Sequence, residues 1–199
     1  MEKLATRGRP REFDTEVALA AALRVFWTKG YEGASLTDLT EAMQITRPSL
    51  YAAFGNKEAL FRQALDLYES EKLSYVGAAL TAETARGVAS FLLYGAIDTI
   101  TGGDCRGCMG VIAAVACQSA EPSMRDDISR RSESSRKAMV ARMQRAIDEG
   151  DFAAPVEAEA ITRYLMAVMQ GMSVQAGGGA SREQLQQVAD ATMAIWPSK

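Results

Sequence analysis

Ser35-Leu-Thr-Asp-Leu-Thr-Glu-Ala-Met-Gln-Ile-Thr-Arg-Pro-Ser-Leu-Tyr-Ala-Ala-Phe54 is the stretch whose reading decides the fold. Ser35 and Asp38 have the spacing of a capping box, which opens a short helix with Leu36, Leu39 and Met43 on its inner side. Gln44 and Ile45 make a tight connection, and Thr46 caps a further helix that runs to about Phe54. At 100° per residue, Leu50, Ala53 and Phe54 fall on one side of that helix, and Pro48, Tyr51 and Ala52 on the other. Arg47 and Ser49 lie on the flanks. Pro48 is tolerated because it falls in the first turn, where its missing N–H has no intrahelical partner. Two short helices joined by a turn of this length form a helix-turn-helix, whose second helix fits a DNA major groove.

Outward from this pair the chain reads as helix. Asp14 caps a first helix that ends at Gly30, with Ala18, Ala22, Val25 and Phe26 on its buried stripe. Asn56 caps a fourth helix through Leu60, Ala64, Leu67 and Glu71. Five more are expected near 84–101, 108–119, 123–149, 156–176 and 182–196, with glycine-rich turns at 102–107 and 177–179. No alternation of apolar and polar residues is long enough for a strand, so the expected class is all-α. The expected division is a helix-turn-helix domain with a basic arm over residues 1–57 and a helical effector-binding and dimerisation domain over 58–199.

Composition removes several classes of function. There is no histidine, which excludes Ser/His and Cys/His catalysis and histidine-metal sites within the chain, and neither a metal nor a cofactor is expected. The longest apolar run, Cys108 to Cys117, is too short to span a bilayer, and Met1 to Arg11 lacks the apolar stretch of a secretory signal. A cytoplasmic location without membrane association is the expectation. The net charge of −3 argues against a general nucleic-acid coat, but its distribution matters more. Residues 1–60 are neutral overall, with Lys3, Arg7, Arg9 and Arg11 opposed in the first eleven positions only by Glu2, and the acidity lies in the remainder. A solvated tail would look the same. Beside a groove-reading helix, however, a basic arm can place an arginine in the narrow minor groove.

The outer face of residues 46–54 offers a guanidinium, hydroxyls and a phenol around small residues that permit close approach to bases. Arg47 can donate to guanine in bidentate fashion, Thr46 or Ser49 can reach bases or phosphates, and Tyr51 offers a phosphate donor. Lys57 and the helix start around Thr37 are placed for backbone phosphates.

Gly30-Tyr-Glu-Gly-Ala-Ser-Leu36 followed by Thr46-Arg-Pro-Ser-Leu-Tyr-Ala-Ala-Phe-Gly-Asn-Lys-Glu-Ala-Leu60 resembles the N-terminal signature of TetR-family transcriptional regulators. The likeness covers residues 12–61. It implies an all-α homodimer with an N-terminal DNA-binding domain and a C-terminal ligand-binding and dimerisation domain. It also implies DNA contacts at Thr37, Thr46, Arg47, Ser49, Tyr51 and Lys57. Arg7-Gly-Arg-Pro-Arg11 resembles the leader of many members. Ala52 and Ala53 depart from the pattern, standing where bulky aromatic or histidine side chains are common.

The second part of the chain carries fewer signals. Cys105, Cys108 and Cys117 are too few for a zinc site. On one helix, Cys108 and Cys117 would lie about 13 Å apart on opposite sides, beyond disulfide reach. Small apolar packing residues are one reading of all three. The other is a thiol switch at Cys108, at a helix start beside Arg106, where both features favour thiolate. Gly107-Cys-Met109 is similar to a pattern in some TetR-like regulators that sense oxidants or electrophiles. Met109, Met139 and Met143 with Phe91, Leu92 and Tyr94 are either core or the lining of an adaptable effector cavity. Ala160, Tyr164, Ala167, Val168, Gly171, Met172 and Gln175, with Leu185, Val188, Ala189, Thr192 and Ile195, form a stripe that suits either a four-helix dimer interface or a monomeric core.

The leading expectation is a repressor that binds a palindromic double-stranded operator as a homodimer and is released by a small-molecule or thiol-reactive effector. A cysteine-based redox enzyme using Cys105 and Cys108 is a second class, weakened because no histidine is present as general base. A helical interaction module with a vestigial DNA head is a third.

Overall fold

The computed structural model describes residues 13–102, 107–116 and 122–198, and among these every regular element is helical. α1 (Thr15–Gly33) opens where the Asp14 carboxylate accepts from the Glu16 and Val17 N–H groups at 2.8 and 3.3 Å. Sequence reasoning stops this helix at Gly30. The chain instead kinks there, at φ 68 and ψ 176, and makes one more turn. Glycine adopts that backbone without the Cβ clash other residues would meet. α2 (Leu36–Met43) carries the full capping box, Asp38 N–H to Ser35 Oγ and Ser35 N–H to the Asp38 carboxylate, each 3.0 Å. Lys29 of α1 pairs with the same carboxylate at 2.5 Å, tying the two helices together.

α2 ends at Gln44 in the left-handed conformation, φ 54, and the Gln44 and Ile45 N–H groups bond back to Glu41 and Thr40. α3 (Arg47–Phe54) begins after Thr46, whose Oγ1 accepts from the Ser49 N–H. α4 (Lys57–Lys72) begins after Asn56, whose amide oxygen accepts from the Ala59 N–H at 2.7 Å.

α5 (Ser74–Leu80) has no side-chain cap, and sequence reasoning missed it. Its support is tertiary: a Cβ added at Gly95 of the next helix would fall 2.5 Å from the Tyr75 ring, so that glycine is what lets the ring lie close. α6 (Ala85–Thr101), α7 (Met109–Ala116), α8 (Pro122–Asp148), α9 (Ala158–Gly177) and α10 (Arg182–Ala194) follow the expected order.

Two buried clusters organise the chain. The first joins α1–α4 around Phe26, Leu39, Leu50, Phe61 and Tyr68, and also takes in Met109 and Ala113 of α7 and Met124 of α8. Within it Phe26 and Phe61 meet edge to face at 5.0 Å, and Trp27 and Tyr68 at 4.8 Å. The second joins α6, α8, α9 and α10 around Leu92, Ile97, Met143, Leu165, Met172 and Leu185. Each large apolar side chain so buried contributes about 1.5–3 kcal/mol. An ionic seam adds to the contact between α4 and α8: Arg131 bonds Asp66 at 2.7 Å, Glu69 at 2.9 Å and Asp127 at 3.2 Å.

Two outcomes follow from the α2 boundaries. Gln44→Gly removes a side chain from left-handed backbone and should raise the unfolding free energy by about 1 kcal/mol, read as a higher urea midpoint with unchanged slope. The Lys29 and Ser35 bonds hold the Asp38 carboxyl well below the usual carboxylate range. A lowered folded-state pKa stabilises above the unfolded value and is lost as pH falls toward the folded one. The stability advantage of wild type over Asp38→Asn should therefore be constant near neutrality and shrink below about pH 4. A difference that stays flat down to about pH 2 contradicts this assignment.

Candidate nucleic-acid interface

α3 is two-sided. Leu50 and Phe54 are buried in the first cluster and Ala53 packs against it, while Arg47, Pro48, Tyr51 and Ala52 are exposed. Tyr51 keeps 50% of its surface in solvent, unusual for an aromatic side chain that could have turned inward. The Arg47 guanidinium donates to Thr37 Oγ1 at 2.9 Å, so residues ten positions apart join the first turn of α2 to the first turn of α3. The Thr46 and Ser49 hydroxyls lie 2.9 Å apart at the start of α3. Thr37, Thr46, Arg47, Pro48, Ser49 and Tyr51 are thus all carried by α2 and α3 and the turn between them. The arm residues Arg7 and Arg9 lie outside the described residues.

Two features were not read from the sequence. The Lys57 ammonium stands 4.4 Å over the Tyr31 ring, a cation–π contact that orients a side chain expected simply to face phosphate. Beside the reading face, Phe13, Thr40, Glu41, Gln44, Ile45, Thr46 and Ser49 line an open groove of about 470 Å³. Glu41 makes this groove a poor seat for phosphate. Its only sequence signal is the run of short and polar side chains at the turn.

In the body, Cys108 immediately precedes α7 and its carbonyl accepts from the Ile112 N–H at 3.0 Å. Its thiol is half-buried, packs against both clusters, and accepts a hydrogen bond from the Tyr68 hydroxyl at 3.2 Å. Burial and the neighbouring Cys108 push the Tyr68 phenol far above its ordinary value, which keeps it a donor. The adjoining Gly107 carbonyl accepts from the Trp27 indole N–H of α1 at 3.0 Å. Cys105, Arg106 and Cys117 lie outside the described residues.

Of the two readings of the methionines, the packing one agrees with their burial in the described residues. Met109 belongs to the first cluster and Met143 to the second, both fully packed. Phe91 is 59% exposed, because the inner stripe of α6 runs through Val88, Leu92 and Ile97 and leaves Phe91 on the outer side. Tyr94 lies at the rim, its hydroxyl bonded to Asp190 of α10. The stripe read along α9 and α10 divides between the two uses. Met172, Leu185, Ala189 and Thr192 are buried in their own chain, whereas Ala160, Tyr164, Ala167, Val174 and Ile195 are exposed. Val174 was not in the expected stripe.

Comparisons with known proteins agree with this architecture. The family profile "Bacterial regulatory proteins, tetR family" matches residues 18–64, and "Tetracyclin repressor-like, C-terminal domain" matches 91–192. The chain is 33% identical over 196 residues to the HTH-type transcriptional repressor ComR of Escherichia coli K12, covering 96% of this chain and 93% of ComR. It is 32% identical over 183 residues to the HTH-type transcriptional repressor BdcR of the same organism, covering 89% and 86%. Among solved structures it is similar to a cysteine-substituted variant of the TetR regulator CifR complexed with 26-base-pair double-strand operator DNA. That likeness has a TM-score of 0.87 and 41% identity, over 96% of this chain and 100% of the other. With both halves of the chain matched, and with an exposed helix-turn-helix face on a helical body, the chain belongs to the TetR family of DNA-binding transcriptional regulators.

Proposed function

We propose that this regulator is a repressor that binds a palindromic operator as a homodimer and is released by a small-molecule or thiol-reactive effector. Residues 1–57 form the DNA-reading part and residues 58–199 the effector and dimerisation part. The observation that carries the reading is the outward face of α3, where Arg47, Pro48 and Tyr51 are exposed while Leu50 and Phe54 hold the helix from behind. ComR and BdcR are described as repressors, and CifR as complexed with operator DNA, which supports the same role here. The arm arginines Arg7 and Arg9 would add minor-groove and phosphate contacts.

The homodimer rests on the outer stripe of α9 and α10. Ala160, Ala167 and Gly171 are small enough for close helix approach, and Val174 and Ile195 present apolar surface, 64% and 72% exposed. A homodimer that reads successive major grooves holds its two α3 helices about 34 Å apart, one turn of DNA, which makes the operator a palindrome or near-palindrome.

Binding selection on random duplex DNA followed by footprinting tests the assignment. Arg47→Ala should cost about 1–3 kcal/mol and relax base preference, whereas Lys57→Ala should weaken all sequences alike and flatten the salt dependence. A footprint and affinity unchanged by both substitutions contradict it.

A second observation favours a thiol route to release. Cys108 is bonded to Tyr68 of α4 and adjoins the Gly107 carbonyl held by Trp27 of α1, so an adduct on the sulfur would disturb the support of both helices. Electrophiles and oxidants should release operator from wild type and not from Cys108→Ser. Equal release from both proteins ends this route.

A further inference from the structure

Glu41 is an acidic side chain left without a counter-charge beside the DNA-reading face. It is exposed in the last turn of α2, where a carboxylate meets the negative end of the helix dipole and a cation would be favoured. That turn holds no basic residue. The cations of the neighbouring helices are engaged elsewhere: Lys29 pairs with Asp38, Arg47 donates to Thr37, and Lys57 stands over the Tyr31 ring. Glu41 itself takes part in no ion pair among the described residues. Yet it lines the same open groove as Thr46 and Ser49, the hydroxyls at the start of α3, where a negative charge opposes phosphate.

The other wall of that groove is Phe13. Its ring packs against Phe54, centroids 6.4 Å apart, and the next residue, Asp14, caps α1. The chain that precedes Phe13 therefore departs from a fixed point at the groove, and that chain is Arg7-Gly-Arg-Pro-Arg11 with Glu12. Two residues of chain span at most about 7 Å, which ties Arg11 to within about one arginine side chain of Phe13.

We infer that Arg11 docks in this groove, its methylenes over Phe13 and Ile45 and its guanidinium on the Glu41 carboxylate. Arg11 and Glu41 are then positioning residues for the arm. Their pairing cancels the charge that would repel phosphate and sets the direction in which the arm leaves. Pro10 disfavours helical backbone at Arg9, so the stretch beyond the pinned Arg11 is extended and carries Arg9 and Arg7 toward the minor groove. Pinning the root of the arm also lowers the entropy lost when its tip meets DNA. This role rests on the operator-binding function proposed above and gives Glu41 an effect opposite in sign to its direct repulsion of DNA.

Full-length wild type, Glu41→Gln, Arg11→Gln and the double variant are compared at low salt on the operator recovered by selection, by affinity and hydroxyl-radical footprinting. Glu41→Gln removes a negative charge beside DNA and should nevertheless weaken binding about threefold. Minor-groove protection flanking the α3 contacts should be lost while the α3 footprint stays. In the Arg11→Gln background the same substitution should have no effect or tighten binding. Tightening by the same factor with and without Arg11 overturns the docking, as does flanking protection that persists in Glu41→Gln. A second readout needs no DNA: trypsin should cut after Arg11 about threefold more slowly in wild type than in Glu41→Gln. Equal cleavage overturns the docking even if operator binding stands. If wild type selects no operator, the DNA reading fails, and the cleavage rates alone decide whether Arg11 is held.

Discussion

Leu50 and Phe54 fix how far α3 stands from the rest of the molecule, and everything proposed about DNA depends on that spacing. Both side chains are buried against α1, α2 and α4, so the helix cannot rotate without breaking the first cluster. With the inner side committed, Arg47, Pro48, Tyr51 and Ala52 have only one direction to face. Ala52, exposed on the same side, adds little bulk to that face. The bond from Arg47 to Thr37 then joins the two helix starts, so that one face presents a guanidinium already oriented before any DNA arrives. Pre-orientation of this kind reduces the side-chain entropy lost on binding.

The first cluster is not closed by the three-helix head and α4 alone. Met109, Ala113 and Met124 from α7 and α8 complete it, and the Gly107–Cys108 turn touches both clusters. Trp27 reaches that turn from α1, and Tyr68 from α4. Gly107, at φ 83, lies so near α9 that an added Cβ would be 3.1 Å from the Ser173 carbonyl. Motion of α9 or α7 therefore meets the helices that support α3 through hydrogen bonds and close packing rather than through a flexible linker. A body that shifts between two packings would carry the head with it.

Much of the head was legible in sequence because its signals are local. Asp14, Ser35 with Asp38, Thr46 and Asn56 each cap the helix they were expected to cap, since a capping bond reaches only two or three residues ahead. The wheel placed Leu50 and Tyr51 on their observed sides because a helix of eight residues has little room to deviate. What was missed depends on partners distant in sequence. α5 needs Gly95 to admit Tyr75, and the orientation of Lys57 needs Tyr31. On α6 and α9, periodicity identified a stripe but not which neighbour would cover it, so Phe91 was set inside and Met172 was left between a dimer seam and the chain's own core. Arg142, buried on α8, gave no signal at all, because a charge within a mostly polar helix reads as surface until the fold surrounds it.

The most direct measurement is a crystal structure of this protein bound to the operator recovered by selection. The account predicts α3 lying in the major groove, an Arg47 guanidinium nitrogen within about 3.2 Å of a guanine edge, and Leu50 and Phe54 still buried against α1 and α4. DNA seated on any other face, with Arg47 and Tyr51 left in solvent, would contradict it.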